Sequence, residues 1–331
     1  MMRRGKSGGS TQVMLRQMVV AVVMAGGAAS AGADEALQDA WWTGPMLAPN
    51  AATLPQGHAL IEPYLFDVMT ASHFDTDGLR HAGPYDHELG SLTYMLYGVT
   101  DQVTVGLIPR FFYDEPAGAP NSSVAVGDLT LQAAYGLTQF QEGRQVPAIA
   151  LVLDETVPSG RYDNLARASD GFGAGAYTSG FSVYSQDYFW MPSGRILRVR
   201  LDLTYAISSS VSVRNLSVYG TANGFSGRAS PGDSFTGDAS AEYSLTRNWV
   251  LALDVVYQHN GNTQVSGSLF GQPAAGAFQS ASGSSYSIGF APAIEYNFSS
   301  RVGGLVGVRI IQIGRNTEAS VTPAIALNMV F

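Results

Sequence analysis

The stretch VTPAIALNMVF, residues 321–331, carries an apolar side chain at every second position: Val321, Pro323, Ile325, Leu327 and Met329. Between them stand the smaller or more polar Thr322, Ala324, Ala326 and Asn328, with Val330 as the exception. A period of two belongs to a β-strand whose two faces meet different surroundings. Terminal residues usually fray, so a strand at this place has to be paired on both sides to be worth ordering.

The same alternation recurs upstream. SYSIGFAPAIEYNFS (285–299), RILRVRLDLTYA (195–206), QVTVGLIPRF (102–111), NWVLALDVVYQ (248–258) and GDLTLQAAYG (127–136) each set large apolar residues in one phase against Ser, Thr, Gln, Arg, Asp or small residues in the other. Each is long enough for the ~9–11 residues of a tilted membrane strand. Twelve strands are expected, at about 57–69, 87–98, 102–113, 126–138, 146–158, 175–186, 194–206, 234–246, 249–260, 284–298, 301–313 and 319–331. Short connections at 100–101, 139–145, 187–193, 246–248 and 299–301 alternate with longer ones at 70–86, 114–125, 159–174, 207–233 and 261–283, and a brief sixth at 314–318. Within 207–233, VSVRNLSVYG has the pattern of a hairpin reaching beyond the wall.

Short turns at one end and long loops at the other are the layout of an outer-membrane barrel, with periplasmic turns and extracellular loops. The expected fold is therefore all-β: a single antiparallel transmembrane β-barrel of about twelve strands, with both termini periplasmic. The last strand then pairs with the first and abolishes the edges. A soluble sandwich or propeller also alternates, but three features oppose it. The strands are long, the connections alternate short and long, and aromatic residues stand at the ends of the stripes. Trp249, Phe298 and Phe331 mark one interfacial girdle, and Phe111, Tyr257 and Tyr286 the other. The polar phase is also too charged for a dry core. Three prolines, Pro109, Pro292 and Pro323, interrupt the apolar stripes. Each deletes a ladder donor that hydrocarbon cannot replace, so bulges or strand ends are expected there.

Composition agrees. Charged residues make up 13% of the 331-residue chain and hydrophobic ones 46%, with 38 Gly and 16 Tyr, too few charges for disorder and too many glycines for a helix bundle. No cysteine is present, so disulfides and thiolate metal sites are excluded. The beginning, MMRRGKSGGSTQVMLRQ followed by MVVAVVMAGGAASAGA, has the basic region, short apolar run and small residues of a cleaved secretory signal covering 1–33. Its apolar run is broken by Gly26 and Gly27 and falls short of the ~20 residues of a helical span. Removing it takes four of the 18 basic residues and none of the 26 acidic ones, so the exported chain is strongly acidic and no nucleic-acid partner is expected. Residues 34–56, with Trp41 and Trp42, precede the barrel proper at 57–331. They are expected either as a plug in the lumen or as a periplasmic tail whose tryptophans lie on the membrane interface, the tail being the simpler reading.

WWTGPMLAPNAATLPQGHALIEPYLF (41–66), GVTDQVTVGLIPRF (98–111), VGDLTLQAAYGL (126–137) and VPAIALVLDETVPSGRYD (146–163) resemble the outer-membrane proteins of the meta-pathway phenol-degradation family. The Gly-Asp-Leu strand at 127–129 and the Pro-Ser-Gly corner at 158–160 match best. The resemblance implies a barrel associated with uptake of aromatic or hydrophobic compounds and brings no catalytic residue with it. A C-terminal Phe331 preceded at alternate positions by Met329, Leu327 and Ile325 also resembles the signal by which the barrel-assembly machinery receives its clients.

The inward phases predict a lumen lined by Arg110, Arg198, Arg200 and Arg309 together with Asp128, Asp202, Asp238, Glu242, Asp254 and Glu295. Such a set either forms a polar pore with a transverse field or fills the barrel with salt bridges. The function expected is an outer-membrane channel passing small molecules by diffusion, in contact with outer-membrane lipid and exported in a Gram-negative bacterium. The alternatives are a non-conducting structural or surface-binding barrel and an outer-membrane hydrolase. A hydrolase needs a base beside a nucleophile. None of the five histidines, His58, His73, His81, His87 and His259, is followed two residues later by serine, so no enzyme and no catalytic residue are expected. His73, Asp75, Asp77, Asp86 and His87 offer oxygen and nitrogen donors, and FDTDG is similar to part of a calcium loop. The rest of that ligand pattern is missing, so neither metal nor cofactor is expected.

Overall fold

The computed structural model describes residues 40–141, 146–270 and 277–331. Eighteen strand segments follow one another: β1 Ala59–Phe74, β2 Arg80–Thr100, β3 Val103–Ile108, β4 Arg110–Glu115, β5 Ala125–Val126, β6 Leu129–Thr138, β7 Ala148–Val157, β8 Thr178–Trp190, β9 Ile196–Ser208, β10 Val211–Arg214, β11 Phe225–Ser230, β12 Ser234–Ser244, β13 Trp249–Asn260, β14 Gln264–Leu269, β15 Ala277–Ala281, β16 Ser285–Asn297, β17 Val302–Arg315 and β18 Thr317–Val330. Fourteen form one antiparallel sheet that closes on itself, β1 pairing with both β2 and β18. Because β3 with β4, and β5 with β6, are each one strand interrupted, the sheet is a twelve-stranded closed barrel. The 321–331 stripe closes it: Ile325 lies opposite Leu65, Met329 opposite Ile61 and Val330 opposite Leu60. Closure leaves no row of unpaired N–H and C=O groups in hydrocarbon, the condition for a sheet to cross a membrane.

The two faces follow the sequence phases. Along β13, Trp249, Leu251, Leu253, Val255 and Tyr257 are exposed while Val250, Ala252, Asp254 and Val256 are buried. Leu65, Leu107, Leu131, Leu151, Phe181, Leu201, Leu203, Ile294, Val306 and Ile325 join the exposed set, giving a continuous apolar outer surface. A surface of this kind is at home only in lipid.

The prolines are accommodated locally. Pro109 separates β3 from β4, and its carbonyl still accepts from Thr93 N at 3.1 Å. Pro292 stays in register with Leu253 on β13, while pairing with β17 pauses between Phe290 and Ala293. Pro323 keeps its place opposite Val308, while pairing with β1 pauses between Phe66 and Met69. Successive residues of an antiparallel strand aim their N–H groups at opposite neighbours, so each proline opens the ladder on one side only.

The connections hold two corrections. The loop expected at 70–86 is mostly strand: β1 and β2 run past the sequence boundaries and turn at 75–79, where Asp75 Oδ1 accepts from Asp77 N (2.9 Å) and Leu79 N (2.8 Å). The hairpin expected beyond the wall within 207–233 forms as β10 and β11, and the connection 261–283, expected as a loop, supplies β14 and β15, which join it in a separate four-stranded sheet. That sheet has its own small core of Val211, Val213, Phe225, Ala229 and Val265, with Tyr219 packed against it. Two long loops with apolar residues at period two can bury them only against each other.

Candidate functional site

Inward-facing positions of β9, β12, β13 and β16 bring the charged residues of the sequence into one cluster. Register sets the partners: Glu242 lies opposite Arg198, Ser240 opposite Arg200, and Asp238 opposite Asp202. Glu242, fully buried, takes Arg198 through two hydrogen bonds, Arg198 Nε to its Oε2 at 2.5 Å and Arg198 Nη2 to its Oε1. Arg200 Nε stands 3.3 Å from the same carboxylate. Fork-to-fork guanidinium–carboxylate geometry of this sort is the arrangement that best offsets the cost of burying charge. Asp202 and Asp238 lie opposite each other within electrostatic reach of Arg200, and both oxygens of Asp202, one of Asp238 and the hydroxyl of Ser240 have no hydrogen-bond partner among the described residues.

Residues 41–56, expected more simply as an interfacial tail, instead run inside the barrel, and the reason is the wall's free carboxylates. Glu295 Oε2 accepts from Thr43 N (2.8 Å) and Gly44 N (3.1 Å), and Asp254 accepts from Met46 N (3.1 Å) and Ala48 N (3.2 Å). Arg200 Nη1 donates to Ala48 O at 2.6 Å. Asn297 bonds the segment twice, accepting from Thr43 Oγ1 (2.9 Å) and donating to Trp41 O (3.0 Å). The Trp42 ring lies 4.5 Å from the Arg198 guanidinium carbon, within cation–π range. Nearer the turns, Leu54 N bonds Thr104 Oγ1 (2.9 Å) and Gln56 N bonds Asp101 Oδ1 (2.9 Å). An irregular segment has no ladder of its own, so its buried N–H groups need side-chain acceptors.

The segment also needs room. Met46 is 6% exposed and packs into a recess made by Ala252, Ala291, Ala293, Leu305, Ala324 and Ala326 on β13, β16, β17 and β18, with Leu47, Tyr64 and Phe66 alongside. At Gly303 a Cβ would stand 1.9 Å from Thr43 Oγ1, and at Gly98 2.2 Å from Pro55 O. Burial of the Met46 side chain is worth about 1.5–3 kcal/mol. Asp254 is the sixth of the twelve residues of β13, so the segment reaches the middle of the wall.

Of the ten residues expected to line the lumen, Arg198, Arg200, Asp202, Asp238, Glu242, Asp254 and Glu295 form this cluster. Arg309, on β17, is within electrostatic reach of Asp238, and its Nη2 lies 3.5 Å from Gln258 Oε1. Arg110 follows the Pro109 break, half-buried and within electrostatic reach of Asp154. Asp128 is employed otherwise: it sits between β5 and β6 at the long-loop end and accepts from Gly160 N (2.8 Å) and Ala174 N (2.7 Å), pinning both ends of loop 159–174. Residues that sequence reasoning passed over are Asn297, Tyr64, Tyr94, Phe66 and Phe112, the last four facing one another as Tyr64–Tyr94 (6.1 Å) and Phe66–Phe112 (6.3 Å). The alanines of the inward phase carried the missing signal, since small residues at matching heights on four neighbouring strands leave space that something else fills.

The aromatic residues of the apolar stripes fall into two groups. Trp249 (46% exposed), Phe298 (62%) and Phe331 (61%) are at the short-turn end, with Tyr296 4.6 Å from Trp249. Phe111 and the stacked pair Tyr257–Tyr286, 6.4 Å apart, are toward the long loops. Phe331 exchanges backbone hydrogen bonds with Ala59 (2.8 and 3.2 Å), and Ile325, Leu327 and Met329 run up the outer face of β18.

Three of the five histidines, His73, His81 and His87, take structural partners on β1, β2 and the turn between them. His81 Nε2 meets Asp75 Oδ2 at 2.6 Å and stacks on His73, and His87 Nδ1 lies 3.2 Å from Asp67. Among the described residues no group of three or more His, Asp or Glu side chains is placed to hold a metal ion.

The model of the family described as "Putative MetA-pathway of phenol degradation" matches residues 76–324. No curated protein matches the sequence. Among solved structures, the chain is similar to an outer membrane channel from Pseudomonas putida F1, at 15% identity and a TM-score of 0.65, over 86% of this chain and 100% of that one. At this identity the likeness is one of fold. The β domain of the Bordetella autotransporter BrkA (11% identity, 83% and 100% covered, TM-score 0.44) and the Ralstonia pickettii toluene transporter TbuX (10%, 88% and 95%, 0.36) are more distant, too far for a strand-by-strand comparison.

Proposed function

This chain belongs to the MetA-pathway phenol-degradation family, and on that footing we propose that it is an outer-membrane channel through which small molecules, aromatic or hydrophobic compounds among them, pass by diffusion, with residues 41–56 as an internal plug. The supporting observation is the placement of that segment. It is held by side chains of the wall rather than by a β-ladder, so it can leave without breaking the barrel. Once it is out, Arg198, Arg200, Asp202, Asp238, Glu242, Asp254 and Glu295 line the vacated space and set the field that solutes meet. The start of β1 and the end of β18 lie at the same end of the barrel as the short turns, Leu60 pairing with Val330, and we place that end in the periplasm. The two aromatic sets then lie at the two membrane interfaces, the lipid face contacts the outer-membrane hydrocarbon, and Phe331 with its alternating predecessors serves recognition by the barrel-assembly machinery. The protein is a conduit and not a hydrolase on this reading.

One observation favours a second reading, a barrel that does not conduct. The Arg198–Glu242–Arg200 cluster is packed to 5% exposure or less, as a structural filling would be. Swelling of liposomes containing the refolded mature protein separates the two. Influx of small neutral solutes, increased when residues 34–52 are removed, is the expected result. A truncated barrel that folds yet passes nothing would leave the structural reading standing.

A further inference from the structure

The long-loop end of the barrel carries an obstruction of its own. Loop 159–174 leaves the wall after β7 and comes back to it before β8 through a narrow neck. Asp128, 8% exposed, takes Gly160 N on one carboxylate oxygen (2.8 Å) and Ala174 N on the other (2.7 Å). Across the neck, Arg161 O accepts from Phe172 N (3.0 Å) and Gly173 N (2.9 Å). A Cβ on Gly160 would stand 2.8 Å from Gly173 Cα, and one on Gly173 2.6 Å from Gly160 O, so only glycine lets the two arms approach this closely.

The neck decides where Phe172 goes. Its ring stacks on Phe112, with centroids 5.4 Å apart and an angle of 9° between the planes. Phe112 belongs to the inward phase of β4: it lies opposite Gly90, and its ring is 6.3 Å from that of Phe66, which packs beside Met46 of the internal segment. Phe172 therefore stands inside the wall, at the head of a row of rings. The loop is also tied to β10 and the connection after it, where Tyr219 Oη donates to Ala174 O, Val218 N to Tyr162 O (2.9 Å) and Asn164 N to Arg214 O (3.1 Å). None of these bonds involves residues 41–56, so the loop keeps its place when that segment leaves. We propose that loop 159–174 is the size filter of the long-loop entrance: Phe172, held against Phe112, narrows the lumen so that ions and small solutes pass beside the rings and bulkier ones are turned back. The filter rests on the channel reading and gives it a selection by size, which a segment that either blocks or leaves does not make.

Two variants relieve the narrowing. Phe172→Ala removes the ring and leaves the neck. Joining Gly160 directly to Gly173 removes 161–172, which the neck allows because its two Cα atoms are close to the roughly 3.8 Å spacing of consecutive residues. Each is combined with removal of residues 34–52 and checked for folding by heat-modifiable migration. In liposome swelling, entry of sucrose and raffinose relative to arabinose should rise severalfold in Phe172→Ala and further in the shortened loop, with arabinose itself little changed. A second readout needs no passage across the membrane. The chain has no cysteine, so Gln132→Cys gives a single thiol. That position is in the inward phase of β6, opposite Gly106, and lies deeper than Phe112. In detergent, with residues 34–56 retained, a bulky dye maleimide should gain on N-ethylmaleimide in labelling rate when either loop change is added. A labelling ratio unmoved by both variants overturns the filter. Solutes that cross with a ranking unmoved by both overturn the filter and leave the channel, whereas a labelling ratio that rises while no solute crosses overturns the channel and leaves the filter.

Discussion

If the internal segment is the barrier, weakening its grip on the wall opens the barrel. Glu295→Gln combined with Asp254→Asn does so with little change in shape. The wild type holds four backbone N–H groups of the segment on these two carboxylates, at 2.8 to 3.2 Å. Glu295 receives both of its donors on one oxygen, so glutamine retains both as neutral bonds. Asp254 uses both oxygens, so asparagine keeps one bond and turns an NH₂ toward the other donor. Three of the four bonds keep an oxygen acceptor and one is lost at a cost of about 2 kcal/mol, so the double substitution weakens the grip by about 2 kcal/mol. At 1.4 kcal/mol per decade the population of the seated state, relative to the open one, falls by somewhat more than tenfold. Arg200 on Ala48 O and the burial of Met46 still hold the segment back. In planar bilayers the wild type should show rare openings, the double variant frequent ones, and the chain without residues 34–52 a steadily open level. A truncated chain no more conductive than the wild type would refute the reasoning, because the segment could not then be the barrier. A double variant indistinguishable from the wild type would show that the carboxylates do not hold it.

Three further outcomes are expected. Arg198→Ala leaves the fully buried Glu242 with Arg200 alone; the loss should be about 3–5 kcal/mol in urea unfolding of the detergent-solubilised barrel, and replacing the whole triad, Arg198→Met, Glu242→Leu and Arg200→Met, should recover most of it. Leu201→Arg, on the half-exposed outer face in the middle of β9, should cost about 2–4 kcal/mol in folding into liposomes but much less in detergent, since the cost lies in the hydrocarbon. At the long-loop end the Arg167 guanidinium, bonded to both oxygens of Asp170 (3.0 and 2.8 Å), holds that carboxyl below its usual range and also donates to Asn121 O at 2.6 Å. A carboxyl depressed in the folded state contributes stability above its ordinary value and loses it as pH falls through the folded value. Hydrogen exchange of 159–174, corrected for intrinsic rate, should therefore accelerate in acid, and Arg167→Ala should show the faster exchange already at neutral pH.

The wall of this protein is legible in single strands. NWVLALDVVYQ states which of its side chains meet lipid and which face inward, because a two-residue period is a local property that survives whatever the strand pairs with. Prolines 109, 292 and 323 announced irregularities for the same reason, their missing N–H being visible in the residue itself. Less legible were the ends of β1 and β2. His73, Asp75 and Asp86 have the composition of a loop, yet the ladder continues past Asp86 because Thr70 lies opposite it and His73 opposite both His81 and Glu318.

The barrel and the two faces of its wall follow from the alternation alone, since any closed pairing of such strands sends the apolar phase to lipid. The contents of the barrel follow from closure and register. Glu242 meets Arg198 across 44 residues, and Thr43 meets Glu295 across 252, only because the strands close in this order. Nothing in DEALQDAWWTGPMLAP by itself distinguishes a tail on the membrane surface from a segment inside the lumen. The choice was made by carboxylates and alanines on strands more than 200 residues away, which offered acceptors for its N–H groups and a recess for Met46. A segment without secondary structure has no internal way to satisfy its backbone, so its place is decided by whichever surface the folded wall provides.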